Sequence, residues 1–397
     1  MPILALLAAP AASAHPASWT ASWAAGDVVG SEIPGNPCPA GAGLTDRTVR
    51  NVVFLSAGGD RVRVRVTNSF GTAPMTIGHA TVARQAAGPD AVPGTLRDLT
   101  FGGRRSVTLA AGARLLSDPV PLEVAALSTL LVSVYVPGPT GPITNHPFTA
   151  QGNYLATGDR TRSGGGFADT PCWMFADAVD VTASPRVVGS VVAFGDSITD
   201  TANTTGNANH RWPDFLSRRL RALPGPTLSV VNAGLGGNRL VADRPGQPYY
   251  GVAGVTRLSR DVFSQAGVRA MILLEGVNDI GYGATAAELV DGYRRVIHAA
   301  HARGVRVFGG TLTPFGNSFV DSPAARRTWS DVNAWIRTSG AFDGVADFAA
   351  ATASPADPAA LDPRYDSGDH LHPNDAGTEA MANALDLPAL VGSVRPR

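Results

Sequence analysis

One serine in the chain is placed for nucleophilic chemistry. Ser197 lies in Phe194-Gly195-Asp196-Ser197-Ile198-Thr199-Asp200, directly after an apolar run that starts at Val187. A serine hydroxyl is a weak nucleophile and needs a base within hydrogen-bond reach. An imidazole can take that proton near neutral pH. A carboxylate on its other ring nitrogen fixes the tautomer and stabilises the imidazolium. The segment Asp366-Ser-Gly-Asp369-His370-Leu371-His372-Pro373 holds both residue types. Asp369 and His372 are three apart, so one turn of chain can hold them on the same side. That spacing and the following Pro373 favour His372 over His370 as the base. A tetrahedral intermediate also needs donors aimed at its oxyanion. Candidates are the backbone N–H of Ser197, the backbone N–H of Gly237 in Asn232-Ala-Gly234-Leu-Gly236-Gly237-Asn238, and the side-chain amide of Asn278 in Glu275-Gly276-Val277-Asn278-Asp279. Glycine suits such a position because its backbone can approach a substrate closely. The chemistry on offer is acyl transfer.

Each of these residues also has an ordinary structural use. Serine after a strand often caps a helix, Gly237 could simply make a turn, and Asn278 could shape a loop. Asp279 reads as a loop-holding residue. What favours chemistry is that four separate segments supply every partner the reaction requires. Other chemistries find less support. His298 and His301 lie three apart on an expected helix with no Glu between them, which excludes a metalloprotease helix. The glycines of residues 234–237 form no phosphate-binding pattern, and no G-x-S-x-G pentapeptide occurs. Asp369, His370, His372 and Asp375 are not read as a metal cluster. No metal and no cofactor is expected.

The elements that must position these residues follow two rhythms. From about residue 47 to 180 short β patterns dominate. Val49 to Leu55 is apolar, Arg61-Val-Arg-Val-Arg-Val66 alternates strictly, and Ser106–Leu109 and Leu130–Val136 continue the style between Gly/Pro clusters. An antiparallel β-sandwich-like domain over residues 15–184 is expected, with Arg61, Arg63 and Arg65 on a solvated strand face. From residue 185 to 397 strands alternate with helices. The expected strands are Val187–Phe194, Leu228–Val231, Ala270–Leu274, Val305–Phe308 and Val345–Phe348. Helices are expected near 212–223, 256–265, 289–300, 324–338 and 376–385; the first has Phe215, Leu216, Leu220 and Leu223 on one face, and the third has Leu289, Tyr293, Val296, Ile297 and Ala300 at helical spacing. That alternation predicts an α/β domain with one parallel sheet covered on both faces. In such sheets the chemistry sits beyond the C-terminal strand ends, where the four polar segments fall.

Composition narrows the class further. The 397 residues allow more than one core. Formal net charge is zero, with no block of like charge, so no nucleic-acid partner is expected. All 32 basic residues are arginines. Residues 1–14 read as a secretory signal peptide with an Ala12-Ser13-Ala14 cleavage site, although a basic n-region is missing. The expected location is therefore extracellular. No later stretch is apolar enough to span a bilayer. Cys38 and Cys172 are the only cysteines. Whether they pair is open at this level, because sequence does not supply the Cα separation that a bridge requires.

The blocks Phe-Gly-Asp-Ser-Ile-Thr-Asp, Asn-Ala-Gly-Leu-Gly-Gly, Gly-Val-Asn-Asp and Asp-His-Leu-His-Pro resemble, in order over residues 187–390, those of the SGNH or GDSL-like hydrolase superfamily. Ile198 stands where the signature has leucine. The resemblance implies a flavodoxin-like three-layer α/β/α hydrolase domain. It also implies Ser197 as nucleophile, His372 as base, Asp369 as its orienter, and Ser197, Gly237 and Asn278 as oxyanion donors. The whole chain is similar to a secreted subgroup related to XynE-like acetylxylan esterases, whose N-terminal β region opens with a segment like Trp19-Thr-Ala-Ser-Trp23. The expected partner is a small-molecule or polysaccharide ester, with short-chain or acetyl esters favoured. A lipase, phospholipase or acyltransferase using the same residues is the alternative. A non-catalytic secreted binding protein is the other.

Overall fold

The computed structural model describes residues 18–39, 41–200 and 203–392. The expected signal peptide at 1–14 lies outside the described residues. No helix among the described residues is long and apolar enough to cross a membrane.

From Trp19 to Ala183 the ordered elements are strands. One antiparallel sheet runs in the order Trp19–Ala24, Ala176–Ala183, Gly59–Thr67 and Arg114–Leu116, with Val120–Val124 also paired to Gly59–Thr67. A second has Arg47–Leu55 and Ser128–Val136 at its centre, in register over nine residues, with His79–Ala87 and Asn153–Thr157 beside them. The alternating residues explain the pairing. Val62, Val64 and Val66 from the first sheet share one buried cluster with Val49, Val53, Leu130, Val132 and Val134 from the second. Burying each such side chain is worth about 1.5–3 kcal/mol.

The arginine row departs from its expected solvated face. Arg61 is exposed, but Arg63 binds Asp180 at 2.8 Å and stacks over Trp19. Arg65 is buried, with Nε on Asp177 at 2.6 Å and Nη1 on the Ser264 carbonyl at 3.2 Å. The reason is that Asp180 and Asp177 on the neighbouring strand Ala176–Ala183 pair with Arg63 and Arg65, and the Ser264 carbonyl of the α/β half covers Arg65.

Cys38 and Cys172 are joined by a disulfide, with Cα atoms 5.8 Å apart and 134 positions apart in sequence. Closing so long a loop restricts the unfolded chain. Cys172→Ser should therefore lower stability by about 2–4 kcal/mol. Thermal melts of wild type and variant, each with and without reductant, check this. Coincident melting curves would refute it.

After residue 186 five parallel strands form one sheet in the order Thr227–Gly234, Val187–Gly195, Val268–Leu274, Arg306–Gly310, Gly344–Ala346. The second strand lies outside the first, which is the flavodoxin-like doubly wound order. The helices Trp212–Ala222, Ala286–His301, Pro323–Thr338 and Asp375–Asn383 send Leu216, Leu220, Leu289, Tyr293, Val296, Val332, Ile336 and Met381 into the same cluster as the strands. The strand expected over 345–348 ends earlier. Asp347 caps a short helix, Phe348–Thr352, by accepting the Ala350 N–H. The helix expected over 256–265 spans Gly254–Asp261 instead.

The first strand belongs to both cores. Ala21 and Ala24 join the α/β cluster, whereas Trp23, and Ala25 just beyond the strand, join the β cluster. A register shift between Ala21 and Trp23 turns the side chains at that point. The Ser229 hydroxyl donates to the Ala21 carbonyl at 2.7 Å.

Candidate active site

The sheet register explains why distant segments meet. Gly195 lies level with Gly234 on one side and Leu274 on the other. Ser197, Gly237 and Asn278 therefore follow three neighbouring strands at the same edge. Gly195 is required for the sharp exit, since a Cβ there would come within 2.3 Å of both the Leu274 carbonyl and Thr199 Oγ1. The turn is closed by Asp196, whose Oδ1 accepts the Ile198 N–H at 3.0 Å and whose carbonyl accepts those of Thr199 and Asp200. None of these bonds uses the Ser197 N–H.

The Ser197 hydroxyl lies 2.8 Å from His372 Nε2. His372 Nδ1 lies 2.6 Å from Asp369 Oδ2. A neutral imidazole protonated on Nδ1 would donate to Asp369 and accept from Ser197, the polarity a nucleophile needs. Asp369 is fixed by its own acceptors. Its Oδ1 takes the backbone N–H groups of His372 at 2.8 Å and Leu371 at 3.0 Å. Partial burial pushes this carboxyl up, but the His372 ring and these N–H groups outweigh it and bring it down to about 2. The segment is a bent loop rather than a helical turn, and Pro373 closes it by pairing with Asp366. His370 is turned outward, with Nδ1 on Asp366 at 2.5 Å. Asp375 pairs with His210 at 2.7 Å.

Gly237 has φ +72°, and a Cβ there would meet the Tyr250 ring at 2.3 Å. The Asn278 amide donates to the Asn238 carbonyl at 2.9 Å and accepts from Arg244 at 2.5 Å. Asp279 holds the adjoining loop, accepting the N–H groups of Leu240 and Val241 at 2.7 and 3.1 Å. Behind this edge lies a buried polar layer. Arg257 donates to the carbonyls of Gly195 and Ala233 and to Asn238 Oδ1. Glu275 lies 3.7 Å from its Nη2, both oxygens lack hydrogen-bond partners among the described residues, and burial holds its carboxyl well above the ordinary glutamate value. Burial likewise pushes Asp196 up to about 7, with Asp279 adding to the effect.

Several contributors carry no motif. Asn203 donates to Asp369 Oδ2 at 3.1 Å. His146, from the β region, bridges the Gly26 carbonyl at 2.7 Å and Asp200 Oδ1 at 2.8 Å. Burial alone would lower this imidazole, but Asp200 and the Gly26 carbonyl hold it above its ordinary value. The other Asp200 oxygen accepts the Gly236 N–H at 2.9 Å. The β region thus holds the loop that carries Gly237. No sequence pattern marked Asn203, His146 or Arg244.

Residues 193–380 match the model of the GDSL-like Lipase/Acylhydrolase family. That segment is similar to GDSL-like acylhydrolases, which supports a carboxylic ester hydrolase. No curated protein matches the chain. Among solved structures, the lipase/acylhydrolase from Enterococcus faecalis is 20% identical to it. The likeness covers 52% of this chain and 98% of that one, with a TM-score of 0.39. Est24, a carbohydrate acetylesterase from Sinorhizobium meliloti, is 17% identical over 49% of this chain and 95% of that one, with a TM-score of 0.38. The M. smegmatis aryl esterase is 15% identical over 49% and 95%, with a TM-score of 0.39.

Proposed function

We propose that the GDSL-like domain works through an acyl-Ser197 intermediate, and that the chain is secreted and acts on short-chain esters, acetyl esters of carbohydrates included. The observation that carries the mechanism is the contact of Ser197 Oγ with His372 Nε2 at 2.8 Å. In the first half-reaction Oγ attacks the ester carbonyl while its proton passes to His372 Nε2. The carbonyl π pair moves to oxygen, which the Ser197 and Gly237 N–H groups and the Asn278 amide receive. Collapse of this intermediate breaks the bond to the alcohol, whose oxygen takes the proton from His372. Water then repeats the sequence on the acyl-serine. It gives a proton to His372, and Ser197 recovers one as the acid leaves.

Three observations support the substrate and location. Arg244 and Tyr250 border the oxyanion donors, a polar and bulky wall that favours a compact acyl group. The Cys38–Cys172 disulfide fits an oxidising compartment. The resemblance of the whole chain to XynE-like acetylxylan esterases points to the same substrates. A series of p-nitrophenyl esters from acetate to palmitate, with acetylated xylan alongside, tests the reading. kcat/KM should be highest for acetate and fall at least about tenfold by octanoate, since forcing a longer chain against a short pocket costs about 1–3 kcal/mol. A rise toward long chains would overturn it in favour of a lipase.

A further inference from the structure

Arg244 lies on the loop between the strand Thr227–Gly234 and the helix Gly254–Asp261, outside all four blocks. Its guanidinium carbon is 4.2 Å from the Tyr250 ring centre and 5.1 Å from that of Tyr282. Nη2 donates to Asn278 Oδ1 at 2.5 Å. The Tyr250 face of this stack rests on Gly237, at the spot where any Cβ would lie within 3 Å of three ring carbons. One arginine–tyrosine pair therefore touches both residues, Gly237 and Asn278, that follow Ser197 in receiving the oxyanion.

The chemistry of the contact is asymmetric. A primary amide can be turned end for end, but a guanidinium has only donors, so only Oδ1 can face Arg244. At the other end Nδ2 meets the Asn238 carbonyl, which can only accept. With both ends fixed, one amide N–H remains for the substrate oxygen. A charge-assisted bond to Oδ1 is stronger than a neutral one and polarises the amide, which strengthens that N–H as a donor when negative charge develops. Among the described residues no carboxylate forms an ion pair with the guanidinium; its contacts are two rings and an amide, and the buried Asp196 feels its charge from a distance.

We propose that Arg244, stacked on Tyr250, is a positioning residue of the oxyanion site that orients and polarises the Asn278 amide. This rests on the acyl-serine mechanism above. It differs from a role in binding substrate directly, because the effect passes through Asn278 and is felt in the transition state.

A double-mutant cycle on the full chain tests it, with p-nitrophenyl acetate as substrate. Asn278→Ala should lower kcat by about 10²–10³-fold. Arg244→Met, which keeps the apolar stem, should lower kcat by roughly 10–30-fold with KM within about twofold, as expected for an interaction made in the transition state. In the Asn278→Ala background the same change should alter kcat by less than about twofold, the mark of residues acting as a unit. Arg244→Lys, which keeps the charge but loses the planar fork, should recover part of the loss. Melting temperatures near wild type for all variants separate these effects from misfolding. Multiplicative losses in the double variant, or a change confined to KM, would overturn the proposal while leaving the mechanism intact. If wild type and Ser197→Ala hydrolyse the ester equally, the acyl-serine reading fails and takes this one with it.

Discussion

Ser197→Ala should abolish most ester hydrolysis, lowering kcat on p-nitrophenyl acetate by at least about 10⁴-fold. The substitution removes the atom that would carry the acyl group and leaves His372 facing a methyl. Removing any member of such a group still leaves oxyanion stabilisation and substrate binding, worth roughly 10³–10⁴ over water. A residual rate is therefore expected rather than none. Stability should change little. The hydroxyl is only partly buried and among the described residues bonds to His372 alone, so the loss is about 0.5–1.5 kcal/mol. A fluorophosphonate probe should label the wild type at Ser197, as mapped by peptide mass spectrometry, and should not label the variant. Undiminished hydrolysis by the alanine variant, or an adduct on another residue, would refute the assignment of the nucleophile.

Asp369→Asn should lower kcat on the order of 10³–10⁴-fold with KM nearly unchanged. An asparagine there can still accept the N–H groups of Leu371 and His372 through its oxygen, so the loop should keep its shape. Its amide would then face His372 Nδ1 with hydrogens. The ring would move its proton to Nε2, and a protonated Nε2 cannot take the Ser197 proton. Acid pH does not mimic this substitution. The Asp369 carboxyl sits at about 2, below its ordinary value near 3.9. Its contribution to stability is thus present above about pH 4 and is lost as pH falls through about 2. Between pH 4 and 8 the group stays ionised, and any acid limb in the kcat/KM profile of the wild type arises elsewhere. Measured rates of the variant within tenfold of wild type at pH 7 would show that Asp369 is a loop anchor and nothing more.

How far the sequence reveals this site depends on how each residue reaches it. Ser197, Gly237 and Asn278 were legible because they follow apolar strands, and the C-terminal edge of a parallel sheet is where such residues collect. Asp369 and His372 were legible from their spacing and chemistry. Asn203, His146 and Arg244 were not. Asn203 meets an aspartate 166 residues away, and His146 comes from the β region altogether. Contacts of that kind follow from how loops and sheets pack, and no periodicity encodes them. The arginine row was misread for a related reason. Alternation correctly put Val62, Val64 and Val66 inward, but it does not say what covers the opposite face. There Asp177, Asp180 and the Ser264 carbonyl take the place of water around Arg63 and Arg65.

The strand Trp19–Ala24 sets an order of events for the growing chain. Its antiparallel partner begins only at Ala176, with Trp19 paired to Thr182, and the serine that bonds its Ala21 carbonyl is residue 229. The first described strand to be made is therefore among the last to find its place. Pairings this far apart in sequence raise contact order and slow folding. Until residue 183 exists the strand has no antiparallel partner, and until residue 229 exists the Ala21 carbonyl lacks its serine donor. Folding intermediates of the β region should carry this strand loose, an exposed edge at which other copies can pair.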